Sequence, residues 1–431
     1  MYFAGMNSGV IDRFDASDAG PRFGPMKLAV AVIRGVLTLA MLSALMISAA
    51  RVALAQTETV LYTFQGGTDG EDPGGNLTSD GAGNLYGTTL YGGLGYGTVY
   101  ELSPNGVGGW SESVLYAFTG GADGAYPNYA NVILDRAGNL YGTAQFGGTG
   151  IGSAGYGVVF ELSPVGTSWK ETVLYSFTGG SDGSYPGQNL IMDAAGNLYG
   201  VTPIIQGGST QGTVFEVSPS EDGWTEQVIY EANGLGYSGL TWDGSGNIFG
   251  ATYSTVFELS PNGSGGWNST VIHTFTGSPK DGSYPEGALT FDKAGNLYGA
   301  TQIGGAKKFG TVFKLTPVTQ GKKKGTWTEK ILYSFKGGKK DGSNPQAGVT
   351  VDGPGNVYGT TQEGVNNNPN GMVFELVAPV GTGSYKEKVL WNFDGTDGQY
   401  EQGGLLWDGV GDLYGTADQS GGAGLVFELT P

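Results

Sequence analysis

One phrase, Asp-x-x-Gly-Asn-Leu-Tyr-Gly-Thr, returns seven times along the chain, beginning at Asp80, Asp135, Asp193, Asp243, Asp292, Asp352 and Asp408. Some copies drift, as at Asn247-Ile248-Phe249 in the fourth and Asp412-Leu413-Tyr414 in the seventh. The repeat is about 55 residues long, in the range of propeller blades rather than solenoid turns. A second phrase, Gly-Thr-Val-Phe-Glu-Leu-Ser-Pro, has cores at 99–102, 159–162, 214–217, 256–259, 312–315, 373–376 and 426–429. A third, Val-Leu-Tyr-x-Phe, stands at 60–64, 114–118, 173–177, 228–232, 271–275, 331–335 and 389–393. With a short apolar run just before each Asp, every unit holds four β segments rich in β-branched and aromatic residues. Gly, Pro, Asn and Asp clusters separate them, as strand punctuation requires. No apolar period of 3.6 persists through the repeats. Four antiparallel strands repeated seven times predict an all-β, seven-bladed β-propeller.

The order of the phrases adds a constraint. The repeat region opens with a third-phrase strand at 59–64 and ends with a second-phrase strand at 427–431. The opening strand is therefore expected to complete the last blade and close the ring, removing the sheet edges a linear array would expose. Composition agrees. Gly supplies 82 of 431 residues, but without a three-residue period, and aromatics reach 12 % against only 14 % charged residues. That balance excludes a collagen-like or disordered chain.

The inventory removes several chemistries. There is no Cys and a single His, His273, which rules out disulfides, thiolate ligands and multi-histidine metal centres. A net charge of −18 disfavours nucleic acid as a partner, because phosphate contacts draw on clustered Lys and Arg. Carboxylates, tyrosines and lysines remain.

Residues 1–25 carry no core pattern and read as an extension or a misplaced start. From Met26 and Lys27 the chain runs through Arg34 into an apolar stretch at 36–50, then Val52-Ala53-Leu54-Ala55. A basic region, a short apolar core and a small-x-small ending predict a signal peptide over 26–55, cleaved after Ala55. The apolar span falls short of the roughly 20 residues that cross a bilayer. The expected product is a secreted, extracellular or periplasmic propeller over 56–431, monomeric and without a transmembrane segment.

The tandem Val-Leu-Tyr-x-Phe, Asp-Gly-x-x-Pro, Asp-x-x-Gly-Asn-Leu-Tyr-Gly-Thr and Gly-Thr-Val-Phe-Glu-Leu units resemble the GloVer (Gloeobacter–Verrucomicrobia type) repeat family of secreted bacterial proteins over residues 58–431. More distantly they are similar to NHL-like propeller blades. Members often carry a C-terminal sorting segment; this chain departs from that pattern at Pro431. The resemblance implies the fold and no particular reaction.

Residues common to all blades are read first as structural. The Asp of Asp-x-x-Gly-Asn opens a turn by bonding local N–H groups; one carboxylate per turn is too few for a calcium cage, so no metal or cofactor is expected. Five Trp (110, 169, 224, 267 and 327) are read as outer-strand packing. His273, in the Tyr position of its strand, is read as an aromatic substitute. The Glu of the second phrase, Lys314 in one blade, marks a partly solvated face.

Ligand candidates lie on the loops joining fourth to first and second to third strands, which emerge together. The first group carries Asp-Gly-x-Tyr-Pro: Asp123 with Tyr126, Asp182 with Tyr185, Asp281 with Tyr284, and the variant at Asp341. Blade four has Asn233-Gly234-Leu235-Gly236-Tyr237 instead, and its second-to-third connection shrinks around Tyr253, which predicts a notch in the rim. Near it Lys307, Lys308, Lys336, Lys339 and Lys340 predict a local positive patch, together with Lys280. Flat rings and hydrogen-bonding side chains suit sugars. The leading reading is a non-enzymatic propeller binding a polysaccharide or cell-envelope component through this face. The alternatives are a polysaccharide hydrolase or lyase working with carboxylates or Tyr and Lys at the channel mouth, and a passive scaffold.

Overall fold

The computed structural model describes residues 57–430, apart from 128–129, 150–154, 204–210, 237, 400–402 and 419–421. The expected leader over 1–55 and the candidate Tyr237 therefore lie outside the described residues. The fold is a ring of seven four-stranded antiparallel sheets. Blade one runs Thr78–Ser79, Leu85–Thr89, Thr98–Pro104, Trp110–Ala117. The same order recurs through blade six. In blade seven the strands Leu406–Trp407, Leu413–Ala417 and Leu425–Thr430 are followed by Thr57–Thr63, which lies antiparallel to Leu425–Thr430 with Thr57 opposite Thr430. Among the described residues the only helical element is the 3-10 turn Val365–Asn367, and no helix is long and apolar enough to cross a membrane.

Burial follows position in the blade. The second strand, Leu-Tyr-Gly-Thr-Thr in blade one, is buried at all five residues because neighbouring blades cover both its faces. The outer strand alternates between exposed and half-buried residues. The core lies between blades. The Phe that ends each third phrase crosses to the third-strand ring of the next blade: Phe64 meets Tyr100 at 5.0 Å, Phe118 meets Phe160 at 5.2 Å, Phe335 meets Phe374 at 5.2 Å, all edge-on. Burying such a ring is worth roughly 1.5–3 kcal/mol. At the seam between blades three and four Ala232 replaces that Phe, and Tyr230 packs on Phe257 at 4.9 Å in its stead.

The first strands converge, and there consecutive blades touch backbone to backbone. A Cβ at Gly75 would stand 2.3 Å from the Ala130 carbonyl oxygen, and one at Gly287 2.1 Å from the Gly348 nitrogen. The Asp-x-x-Gly-Asn turns are closed by their own carboxylates. Asp80 Oδ1 accepts from the Ala82 and Asn84 amides, at 2.8 and 2.9 Å, and Oδ2 from Asn84 Nδ2 at 2.8 Å. Burial alone would raise the Asp80 pKa, but these bonds outweigh it and hold the group below its ordinary value.

Candidate functional site

The fourth-to-first and second-to-third loops do share one end of the ring. Short antiparallel bridges tie them within a blade: Glu71 to Tyr91, Ala125 to Phe146, Ser343 to Glu363, and Gly282–Ser283 to Ile303–Gly304. The residue before each Pro is the linchpin. Tyr126, Tyr185 and Tyr284 hold φ of 55°, 57° and 60°, in the left-handed region that costs a non-glycine residue energy and needs a compensating contact. The contact is a backbone stitch between blades. The Tyr126 amide donates to the Tyr96 carbonyl of blade one at 2.8 Å, and its own carbonyl accepts from the Gln145 amide of blade two at 3.1 Å. Tyr284 does the same between Tyr253 and Gln302.

This stitch lines up aromatic rings across blades. Tyr91 and Tyr96 both stand edge-on to Tyr126, at 5.7 and 5.8 Å. Tyr126 meets Phe146 at 5.8 Å, Phe146 meets Tyr185 at 5.1 Å, and Tyr185 meets Tyr156 at 6.0 Å. The arc leaves Tyr91 42 % exposed. In blade four the connection between second and third strands is only three residues, 252–254. Tyr253 there lies over Gly234 and Gly236 and packs on Tyr284 at 5.2 Å. The flanking Lys307, Lys308, Lys339 and Lys340 are exposed. Lys336 is exposed as well, with its ammonium 5.0 Å above the Tyr333 ring and 3.9 Å from Asp341.

The loop carboxylates point elsewhere. Asp123 Oδ2 accepts from the Tyr116 hydroxyl at 2.9 Å and the Thr119 amide at 2.8 Å, while Oδ1 accepts from Thr119 Oγ1 at 2.6 Å and the Gly121 amide at 3.2 Å. Asp182 repeats this with Tyr175, Thr178 and Gly180, and Asp341 takes Tyr333 and the Lys336 amide. The Tyr donors belong to outer strands, so these carboxylates are spent on joining blades, not on the aromatic arc.

Each faces a second acid that sequence reasoning passed over. Glu58, Glu112, Glu171, Glu226, Glu329 and Glu387, on outer strands, each bury an Oε1 atom without a hydrogen-bond partner. Burial first, and then the charge of the facing Asp, raises Glu112, Glu171, Glu226 and Glu387 to about 7. Glu58 rises likewise to about 7 beside Asp397 and Asp394, and Glu329 to about 8 beside Asp281. The signal existed in the sequence. The one blade whose preceding loop lacks the Asp, blade four, carries Ser269 where the others carry Glu.

The opposite end of the ring has a cleft of about 1150 Å³ lined by the turns at 292–296 and 352–355, with Lys293, Lys314, Lys330, Tyr298 and Tyr385. Lys314 stands 3.7 Å from Asp292 and 5.0 Å above the Tyr298 ring. The charge reversal at this repeated position thus lines a cleft, half-buried, on a partly solvated face.

The repeat described as Gloeobacter/Verrucomicrobia matches residues 111–255 and 251–431. Among solved structures, virginiamycin B lyase from Staphylococcus aureus aligns with a TM-score of 0.53 at 12 % identity, covering 87 % of this chain and 99 % of that one. A streptogramin B lyase gives 0.54 at 12 %, covering 87 % and 97 %. The extracellular domain of a hybrid two-component system from B. thetaiotaomicron gives 0.52 at 13 %, covering 87 % of this chain and 41 % of that one. At such identity the likeness is one of fold. No curated protein matches the chain.

Proposed function

The chain belongs to the Gloeobacter/Verrucomicrobia repeat family, and from that premise we propose that it is a secreted, non-enzymatic propeller that binds a polysaccharide through its loop-rich face. The observation carrying this reading is the arc Tyr91, Tyr126, Phe146, Tyr185, whose rings are held in line by backbone stitches rather than by flexible side-chain contacts. Rigid rings in sequence suit the apolar faces of successive sugars, at little entropic cost on binding. The exposed lysines at 307, 308, 339 and 340, on loops of the same end of the ring, favour an acidic polymer such as a uronic-acid chain. A hydrolase is a poorer fit, because Asp123, Asp182 and Asp341 already accept bonds from Tyr hydroxyls and loop donors. The test is affinity electrophoresis and calorimetry against neutral and acidic polysaccharides, with release of reducing or unsaturated ends followed in parallel. Binding without release is expected, weakened several-fold by Tyr91→Ala. Chain cleavage, or no binding to any polymer tried, sinks the proposal.

A further inference from the structure

Where five seams of the ring set an Asp against a Tyr or Trp donor and a Glu, the seam between blades four and five sets Asp281 against an imidazole. His273 Nε2 lies 3.5 Å from Glu329 Oε1 and 3.8 Å from Asp281 Oδ1, and the three ligand atoms all fall within 4.8 Å of one another. They come from two blades and a loop: His273 from the outer strand Trp267–Thr274, Glu329 from the outer strand Trp327–Ser334, Asp281 from the loop between blades four and five. Both His273 Nε2 and Glu329 Oε1 are buried without a hydrogen-bond partner, and the Asp281 side chain is only 9 % exposed.

We propose that His273, Asp281 and Glu329 form a binding site for a single divalent transition-metal ion of the zinc or manganese class. Ligand atoms sharing one such ion at about 2.0–2.2 Å stand roughly 3–3.5 Å apart, so the two imidazole–carboxylate separations need only a few tenths of an ångström of closure, and the two carboxylates, within 4.8 Å of each other, draw together around the ion. One imidazole nitrogen and two carboxylate oxygens suit zinc, manganese or iron(II) better than calcium, which takes oxygen alone. The ring is also held for the task. His273 stands edge-on to Phe275 at 4.6 Å, and Asp281 Oδ2 is anchored by the Thr276 amide and hydroxyl, at 2.6 and 3.0 Å, which is how an outer shell orients a ligating carboxylate. Three protein ligands leave positions for water, and the modest exposure of His273 and Glu329 leaves a path to them.

The repeat supplies a fold-neutral variant. His273→Tyr installs the residue found at Tyr62, Tyr116, Tyr175 and Tyr333, each of which donates to its loop Asp. The intact protein, its His273→Tyr and Glu329→Gln variants are equilibrated with zinc or manganese, desalted, and assayed for bound metal, with circular dichroism reporting the fold. About one ion per parent chain is expected, with affinity at least about tenfold lower in both variants at unchanged dichroism. The proposal is overturned if the parent retains no more metal than His273→Tyr. It is overturned equally if zinc binds with the same affinity to parent and variants, since the acid pairs of the other seams would then be the ligands. Should His273→Tyr lose its fold, the isosteric Glu329→Gln decides by the same two criteria.

Discussion

The hydroxyl of Tyr116, at the end of blade one's outer strand, donates to Asp123 Oδ2 at 2.9 Å, and Asp123 opens the loop that begins blade two. The same pairing joins Tyr62 to Asp69, Tyr175 to Asp182 and Tyr333 to Asp341. Its effect is to make a blade's outermost strand depend on the loop that follows.

Tyr116→Phe removes this donor and leaves the ring packing on Phe118 intact. A hydrogen bond to a charged acceptor is worth about 1.5–3 kcal/mol. Partial exposure of the loop places the expected loss near about 1–2 kcal/mol, read by equilibrium urea unfolding. An unchanged midpoint would show that Asp123 is satisfied by Thr119 and Gly121 alone.

Stability should fall as pH rises from 5 to 8. Glu112, Glu171, Glu226 and Glu387 titrate near 7 in the folded protein, and Glu329 near 8, against an ordinary 4.5. Folded-state values raised above unfolded ones mean the folded ring holds extra protons in this window, so their contribution is full below about 4.5 and lost through 7–8. The lowered turn carboxyls Asp80, Asp135 and Asp292 act with the opposite sign, below their ordinary 3.8. A melting temperature that peaks close to pH 5 is expected from calorimetry across the range. A peak at pH 8 would contradict the paired-acid geometry.

Gly287→Ala puts a methyl carbon 2.1 Å from the Gly348 nitrogen, where only backbone can yield. The cost is expected to exceed about 2 kcal/mol. Gly81→Ala, with open space around its Cβ position, should stay within about 0.5 kcal/mol of the parent. Comparable unfolding midpoints for the two would mean the first strands do not meet as closely as described.

Exchanging Lys307 and Lys339 together for Glu should weaken binding of an acidic polysaccharide and flatten its salt dependence, while leaving a neutral one unaffected. Titration at two ionic strengths reads both effects. An unaltered salt slope would remove the lysine sector from the binding surface.

Much of the ring was legible because repetition turns weak strand signals into a count. Seven variants of one Leu-Tyr-Gly-Thr phrase cannot be seven accidents, and the burial of Leu85–Thr89 at every residue follows from its place between blades. The aim of the loop carboxylates was not legible. Asp-Gly-x-Tyr-Pro announces a turn, yet nothing in it says that Asp123 folds back to Tyr116. Nor does it show that Tyr126 takes a positive φ, since residues before Pro ordinarily avoid helical and left-handed conformations. Tertiary stitching imposed that. Glu112 was missed because a lone acid on an alternating outer strand reads as solvated; the joint loss of Asp and Glu around blade four was the available clue.

The pairing of Thr57–Thr63 with Leu425–Thr430 has a consequence for biosynthesis. The strand at 57–63 meets its partner only once residues 425–430 have been made, a pairing that spans the whole ring and so belongs to the slowest kind to find. Until then blade seven lacks its outer member and offers Leu425–Thr430 as an open template. A molecule whose ring is not yet closed is therefore most exposed to strand exchange with its siblings at this strand. A peptide copying residues 57–63 should compete for that berth during refolding and afterwards find it taken.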